Sequence, residues 1–318
     1  MQARIKAKLQ KQDVNLDALL EQGESGAYEA LQLYRSRSLR AKSKGDNLTA
    51  LQTTVEGAIK LIKKEYFSAG WELCDQVLDF LNDMESDMTN PIIRDLVFNV
   101  DDALMQVVAE NTENPADKES TWSGFKVRRD FLKGAVKWSQ AFGKQALGDT
   151  ALHLRLAAAT WSRDFRIATY HFVAGESPVQ LAQKIDDTFG PSGDKKKESK
   201  LAADRACTLG VCHFLGFENL RDANELLVLY KKSQKNRGNA IDTKLLVFCG
   251  QLLEVCRREA TPLFKQLVNS VVDDLDGWGE GPGAGVVATL LQGPIAARFF
   301  GMQSKVHPMV QMMQQFLN

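Results

Sequence analysis

The stretch SGAYEALQLYRSRSLRAKSK, residues 25–44, puts alanines and a tyrosine on one side of a helix and five cations toward its end. Two later segments share its plan, SRDFRIATYHF (162–172) and NLRDANELLVLY (219–230). Each sets a small residue, Ala30, Ala168 or Ala223, ahead of an aromatic near the helix's other end. A small residue lets two helices approach closely, and the aromatic then fills the space beside it.

Working outward, 3.6-residue periodicity dominates and alternating strand patterns are almost absent. Helices are predicted near 26–43, 47–64, 68–84, 91–110, 122–142, 149–160, 164–174, 177–188, 197–216, 219–232, 242–257, 260–275, 285–301 and 308–317. Asp46-Asn47, Asn90-Pro91 and Ser177-Pro178 supply start signals. Short links such as AGES and LGFEN imply antiparallel neighbours. Packing by small residues and aromatics is the manner of tetratricopeptide-type helix pairs, here as an irregular repeat. The expected fold is all-α, a right-handed α-solenoid of antiparallel helix pairs. Residues 1–150 form its N-terminal half and 151–318 its C-terminal half, in one continuous superhelix. Polar loops are expected at 111–121 and 190–199. For SQKNRGNAIDT (233–243) two readings stay open, a small β-hairpin on the Gly238-Asn239 turn or an ordinary helix–helix loop.

Lys+Arg and Asp+Glu both number 40, so no global cationic field recruits nucleic acid or an anionic membrane. Charge is uneven all the same: residues 1–64 carry a net +5 and residues 85–120 a net −7. Such asymmetry can steer a charged protein partner. No apolar run approaches the roughly 18 residues of a membrane span. The amino terminus lacks the apolar core of a secretory signal. Cys74, Cys207, Cys212, Cys249 and Cys256 sit in helical patterns and read as reduced, buried thiols of a cytosolic chain.

Catalytic and metal constellations do not assemble. His153, His171, His213 and His307 form no HExxH, and none stands at ligand spacing from a second histidine or a CxxC pair. GWGEGPGAG (277–285) lacks the preceding strand and following Lys-Ser/Thr of a phosphate cradle. GDKKKESK (193–200) is basic but carries no aromatics to stack bases. No cofactor, metal or nucleic acid is expected, which leaves protein-binding surfaces. On a wheel of about 100° per residue, Ala27, Ala30, Leu31, Tyr34, Ser38 and Ala41 share a packing arc. Tyr28, Gln32, Arg35 and Leu39 form a second stripe, flanked by Glu29, Ser36 and Arg40. Tyrosine beside arginine is the composition of a contact hot spot.

The chain resembles a known family. GAYEALQLYRSRSLR (26–40) is similar to the G-x-Y-Y-E-A-x-Q-x-x-R start of the Golgi-to-ER traffic scaffold subunit, the fourth component of the GET pathway. GDTALHLRLAAATWSRDFRIATYHFVAGESP (148–178), LLVFCGQLLEVCRR (245–258) and IAARFFGMQ with MVQMMQQFL (295–317) resemble its central, later and closing segments, in order. The resemblance implies a cytosolic, non-enzymatic α-solenoid with two partners in the delivery of tail-anchored proteins to the endoplasmic reticulum. Its N-terminal half would bind the targeting ATPase dimer and favour the nucleotide-loaded state. Its C-terminal half would hold a ubiquitin-like adaptor, and in animals the subunit also joins a BAG-family scaffold. No direct membrane insertion is implied. By position, the ATPase contacts fall on Tyr28, Glu29, Arg35 and Arg40, with Gln32 on the same face. Two family positions, a tyrosine and a histidine, are Ala27 and Leu31 here. The adaptor groove is expected around Tyr230, Arg237, Asn239, Leu245, Leu246 and Phe248. The tail residues Met309, Met312, Met313 and Phe316 share a face that could take an apolar peptide or cap the solenoid. The alternative is a helical-repeat scaffold subunit of an unrelated complex.

Overall fold

The computed structural model describes residues 18–113, 118–190, 196–276 and 285–302. Its helices are α1 (Glu24–Ser43), α2 (Asn47–Lys63), α3 (Phe67–Asp83), α4 (Pro91–Glu113), α5 (Lys118–Phe142), α6 (Thr150–Thr160) and α7 (Phe165–Ala174). There follow α8 (Pro178–Phe189), α9 (Lys196–Gly216), α10 (Leu220–Asn236), α11 (Lys244–Arg257), α12 (Thr261–Asp276), α13 (Val286–Leu290) and α14 (Ala296–Phe300). The fold is an all-α solenoid. The chain divides into two compact units, Met1–Leu152 and His153–Asn318. No helix of the described residues is long and apolar enough to cross a membrane.

Helix reversal follows one recipe. After α2, α7, α9 and α11 the chain places a single residue at positive φ: Glu65 (63°), Glu176 (53°), Glu218 (62°) and Glu259 (50°). In each case that residue's N–H donates to the carbonyl three back and the next N–H to the carbonyl five back, as in Glu65 to Ile62 (2.8 Å) and Tyr66 to Leu61 (3.0 Å). This double bond is the Schellman closure, usually made with glycine. Gly45 and Gly238 close α1 and α10 the same way. The next helix begins one or two residues later in most of these links, with Asp46 accepting from Thr49 N–H and Asn219 from Asp222 N–H. Asn90 accepts from Ile92 N–H, whereas Ser177 makes no side-chain cap.

In the first unit α2 packs on α1, α3 and α4, and α5 on α3 and α4. Tyr34, fully buried, lies over Gly57 of α2, where an added Cβ would stand 2.5 Å from the ring. Between α4 and α5 the buried Asp101 carboxylate takes both prongs of Arg128, Nε at 2.7 Å and Nη2 at 3.3 Å. In the second unit α9 is central, packed on α7, α8, α10, α11 and α13. From Ala206 to Gly216 every α9 residue is buried, as a helix surrounded by neighbours requires. Gly210 lets the Leu181 and Leu226 side chains approach, since a Cβ there would sit 2.9 and 2.6 Å from them. The repeat residues Ala30, Ala168 and Ala223 are buried completely, and Tyr34, Phe172 and Tyr230 are buried with them.

Three expectations are corrected. No β-hairpin forms at 230–243: α10 continues to Asn236, and Asn239 N–H bonds Gln234 O at 2.9 Å, so a helix–helix loop follows. The helix expected over 285–301 is broken by a π turn at Leu291–Ile295, because Pro294 has no N–H to donate. Both polar loops are shorter than expected, with α4 running to Glu113, α5 starting at Lys118 and α9 starting at Lys196. Residues 277–284, His307 and the methionine-rich tail from Met309 lie outside the described residues.

Asp204 of α9 holds the second unit together from inside. Tyr230 Oη of α10 donates to its Oδ1 at 2.8 Å, Thr243 Oγ1 to its Oδ2 at 2.9 Å, and the Lys200 ammonium pairs with it. Burial and then the Asp204 charge push the Tyr230 phenol far above its ordinary range. Asp204→Ala leaves the buried Tyr230 hydroxyl and the part-buried Thr243 and Lys200 without their acceptor and is expected to cost about 3–5 kcal/mol in urea unfolding.

The buried histidines give a second measurable property. His153 and His171 share an Nδ1···Nδ1 hydrogen bond of 2.9 Å. His213, in the last turn of α9, has its pKa lowered to about 3 by burial. Its folded pKa lies below the unfolded value, so its contribution is intact above pH ~6.5 and is lost as pH falls toward 3. Between pH 7 and 5 this group removes about 2 kcal/mol of stability. His213→Leu, compared with wild type by urea unfolding at both pH values, should show a loss smaller by that amount.

Candidate functional site

Helix α1 has one packed side and one open side. Gly26, Ala27, Ala30, Leu31, Tyr34 and Ser38 are buried against α2 and α3. On the other side Tyr28 is 62% exposed and Leu39 53%, with Glu29, Gln32 and Arg40 also exposed. A large aromatic and a leucine on an otherwise charged surface carry an unfavourable hydration cost in the free protein. Arg35 is half-buried and its Nη1 reaches Glu72 of α3 at 2.8 Å. That pair, more than a third exposed on each side, is worth at most about 1 kcal/mol. It aims the guanidinium along the edge of α3 and leaves other N–H donors for a partner. Ala27 and Leu31, where the family pattern has other residues, both lie on the packed side.

Beside Tyr28 the surface folds inward as a cleft of about 650 Å³. Ala27, Leu31, Phe67 and Ala69 contribute apolar wall, Tyr28 and Tyr66 aromatic edges, and Glu24, Glu65 and Glu72 carboxylates. The Tyr66 hydroxyl donates to the Leu20 carbonyl at 3.0 Å, so the chain entering α1 is tied to the rim. Sequence reasoning missed this cleft, because its walls come from α1, the α2–α3 link, α3 and α5 together.

The structure does not bring the expected second set of residues together on a surface. Tyr230, Leu245, Leu246 and Phe248 are all core residues. Tyr230 turns inward because its hydroxyl finds Asp204, and Leu246 and Phe248 because α11 lies against α9 and α10. Arg237 and Asn239 stay at the surface but fasten the loop. Arg237 Nη1 donates to the Asp186 carbonyl at 3.3 Å, and Asn239 Nδ2 to Gln234 Oε1 at 2.9 Å. Among the mostly polar residues that α10, α11 and α12 expose are three apolar ones, Val228, Val247 and Leu263. All five cysteines are buried and unbridged, and burial raises their thiol pKa values, so they are poor nucleophiles.

The chain matches the family model described as Golgi to ER traffic protein 4 over residues 44–317. Those matched residues begin just after α1. Protein GET4 of Arabidopsis thaliana is 27% identical over 324 residues, spanning 95% of this chain and 94% of that protein. Golgi to ER traffic protein 4 homolog B of Xenopus laevis is 24% identical over 254 residues, 79% of this chain and 70% of its own. The crystal structure of C. therm. Get4 superposes with a TM-score of 0.70 at 21% identity, covering 98% of this chain and 96% of that one. At that identity the likeness carries the fold.

Exposure separates the two sets of tyrosines in a way stability can read. Tyr28→Ala should change unfolding free energy by no more than about 0.5 kcal/mol. Tyr230→Ala, which empties core volume and strips Asp204 of a donor, should lower it by about 3–5 kcal/mol. Denaturant titration of the two variants checks both.

Proposed function

The chain belongs to the Golgi to ER traffic protein 4 family, and with it to the GET pathway of tail-anchored protein targeting; from that premise we propose that it is a non-catalytic adaptor bridging two partners. The targeting ATPase dimer binds the open side of α1 through Tyr28, Glu29, Gln32, Arg35 and Arg40. A ubiquitin-like adaptor binds the second unit, and through it the client-loaded co-chaperone is recruited. The ATPase reading is carried by one observation. The open side of α1 exposes Tyr28 beside Glu29 and Gln32, and Leu39 beside Arg40, while the same helix's packed side satisfies the core.

Tyr28 supplies a rigid aromatic with little conformational entropy to lose on binding, and arginine a planar fork for partner carboxylates. Leu39 adds apolar area that the free protein leaves in water. For the adaptor, the buried Tyr230, Leu246 and Phe248 act as scaffold, and the exposed Val228, Val247 and Leu263 offer the contact.

Tyr28→Ala combined with Arg35→Glu should weaken binding to the purified ATPase dimer by tenfold or more, with circular dichroism and melting close to wild type. Calorimetric titration measures it, and the affinity should fall steeply with salt, as screened surface charges require. Unchanged affinity in the double variant would remove this face from the contact.

A further inference from the structure

Helix α5 carries a charged side that neither the core nor the open face of α1 uses. Advancing about 100° per residue, Lys126, Arg129, Lys133 and Lys137 fall within one arc, and Asp130 is the one carboxylate among them. The opposite side, with Phe131, Ala135 and Trp138, is buried against the core. Arg129 Nη2 pairs with Asp130 at 2.8 Å. Among the described residues, Lys126, Lys133 and Lys137 form no ion pair.

Such a stripe is unfavourable while it stands alone. Like charges one turn apart, Arg129 with Lys133 and Lys133 with Lys137, disfavour the helix that carries them. Lys133 is half-buried, and burial, then the Arg129 charge, hold its ammonium below the ordinary lysine range, with Asp130 acting the other way. That ammonium has already given up part of its water, so an arriving anion displaces less solvent there than at a fully exposed lysine. The spacing selects the anion. From Lys126 to Lys137 the stripe runs about 16 Å in three steps of one turn each. A second helix with carboxylates along one side repeats those steps. An extended chain, whose same-side groups recur every 6.6 Å or so, overshoots by roughly 4 Å over the same three steps. No aromatic stands in the arc between Lys126 and Lys137 for a base to stack on, and Asp130 lies within it.

We infer that the Lys126, Arg129, Lys133 and Lys137 side of α5 is a docking surface for an acidic helix of a partner protein, one that carries carboxylates at one-turn spacing along a single side. The contact is electrostatic: each carboxylate faces a cation, and the repulsion along α5 is relieved as they arrive. It stands apart from the reading of α1, since none of its residues lies on that helix.

The probe is a fluorescent, alanine-based helical peptide of about twenty residues with four glutamates on one side at one-turn spacing, titrated with the full chain and followed by anisotropy. It should bind saturably at low salt, several-fold tighter than a peptide of the same composition whose glutamates are spread round the helix, and weaken steeply as salt rises. Lys133→Gln with Lys137→Gln should lose several-fold in affinity, keep the wild-type circular dichroism and melt no lower than wild type, because repulsion is removed. Lys133→Arg with Lys137→Arg should bind as wild type does. Lys126→Gln and Lys137→Gln singly, both at exposed positions, give the same comparison with smaller losses. Absence of saturable binding, equal affinity for the two peptides, or a paired glutamine variant that binds undiminished overturns the docking surface. Displacement of the peptide by a uridine homopolymer or by anionic lipid vesicles at lower charge concentration overturns the choice of a protein partner. Tyr28→Ala with Arg35→Glu should leave peptide binding unchanged; a loss in that variant overturns the assignment to α5, whatever it does to ATPase binding.

Discussion

The structure depends on making sharp reversals between helices with almost no connecting chain. A helix end leaves carbonyls unpaired, and a link of three residues has few groups to satisfy them. One residue at positive φ solves both problems, turning the chain and directing two N–H groups back onto those carbonyls. At Glu65, Glu176, Glu218 and Glu259 the residue carries a Cβ, which costs on the order of 1 kcal/mol relative to glycine. Each of these glutamates is exposed, so its side chain meets solvent and not the next helix. The cost is offset by what the short link permits: the two helices it joins pack on each other, and α2, α7 and α9 each also reach the helix after next. Gly57 and Gly210 then remove the atoms that would hold those helices apart.

Apolar packing of this kind favours burial but specifies register weakly, since many leucine, valine and alanine arrangements fill similar volume. Each unit adds a buried carboxylate with donors that only one arrangement supplies. Asp101 meets Arg128 across α4 and α5. Asp204 collects Lys200 from its own helix, Tyr230 from α10 and Thr243 just ahead of α11. A slip of one turn in α10 or α11 would leave that carboxylate buried and under-satisfied, a large penalty in a low-dielectric interior. The aromatic that closes the third repeat segment is thus fixed by a polar contact as much as by its volume.

This explains which parts were legible in the sequence. Helix positions were, because periodicity and the start signals at Asp46 and Asn90 are local and agree with each other. The split of α1 into a packed arc and an open stripe was legible as well, since Ala27, Leu31, Tyr34 and Tyr28 lie where the wheel puts them. The second set of residues was not. In LLVFC nearly every position is apolar, so periodicity cannot say which side faces inward, and the answer depends on Asp204 about forty residues earlier in the chain. The Gly238-Asn239 turn signal was real, but it closes a helix and does not join two strands. The cleft is likewise a product of packing between separate segments, with no local signature, whereas the π turn at Leu291–Ile295 had a local one in Pro294.

The position of α1 finally accounts for its unusual surface. Among the described residues, helix α2 is covered by α1, α3 and α4, and α1 packs on α2 and α3. A helix side that its neighbours leave uncovered ordinarily carries polar residues. Here arginine and glutamate supply that solubility, yet Tyr28 and Leu39 are exposed among them, and neither contributes to the core. A face that must stay in water part of the time and be buried for the rest has to balance these two chemistries. Alternating cations with isolated large apolar groups does so: the charges keep the free face hydrated and orient an encounter, while the tyrosine and leucine reward burial once contact is made.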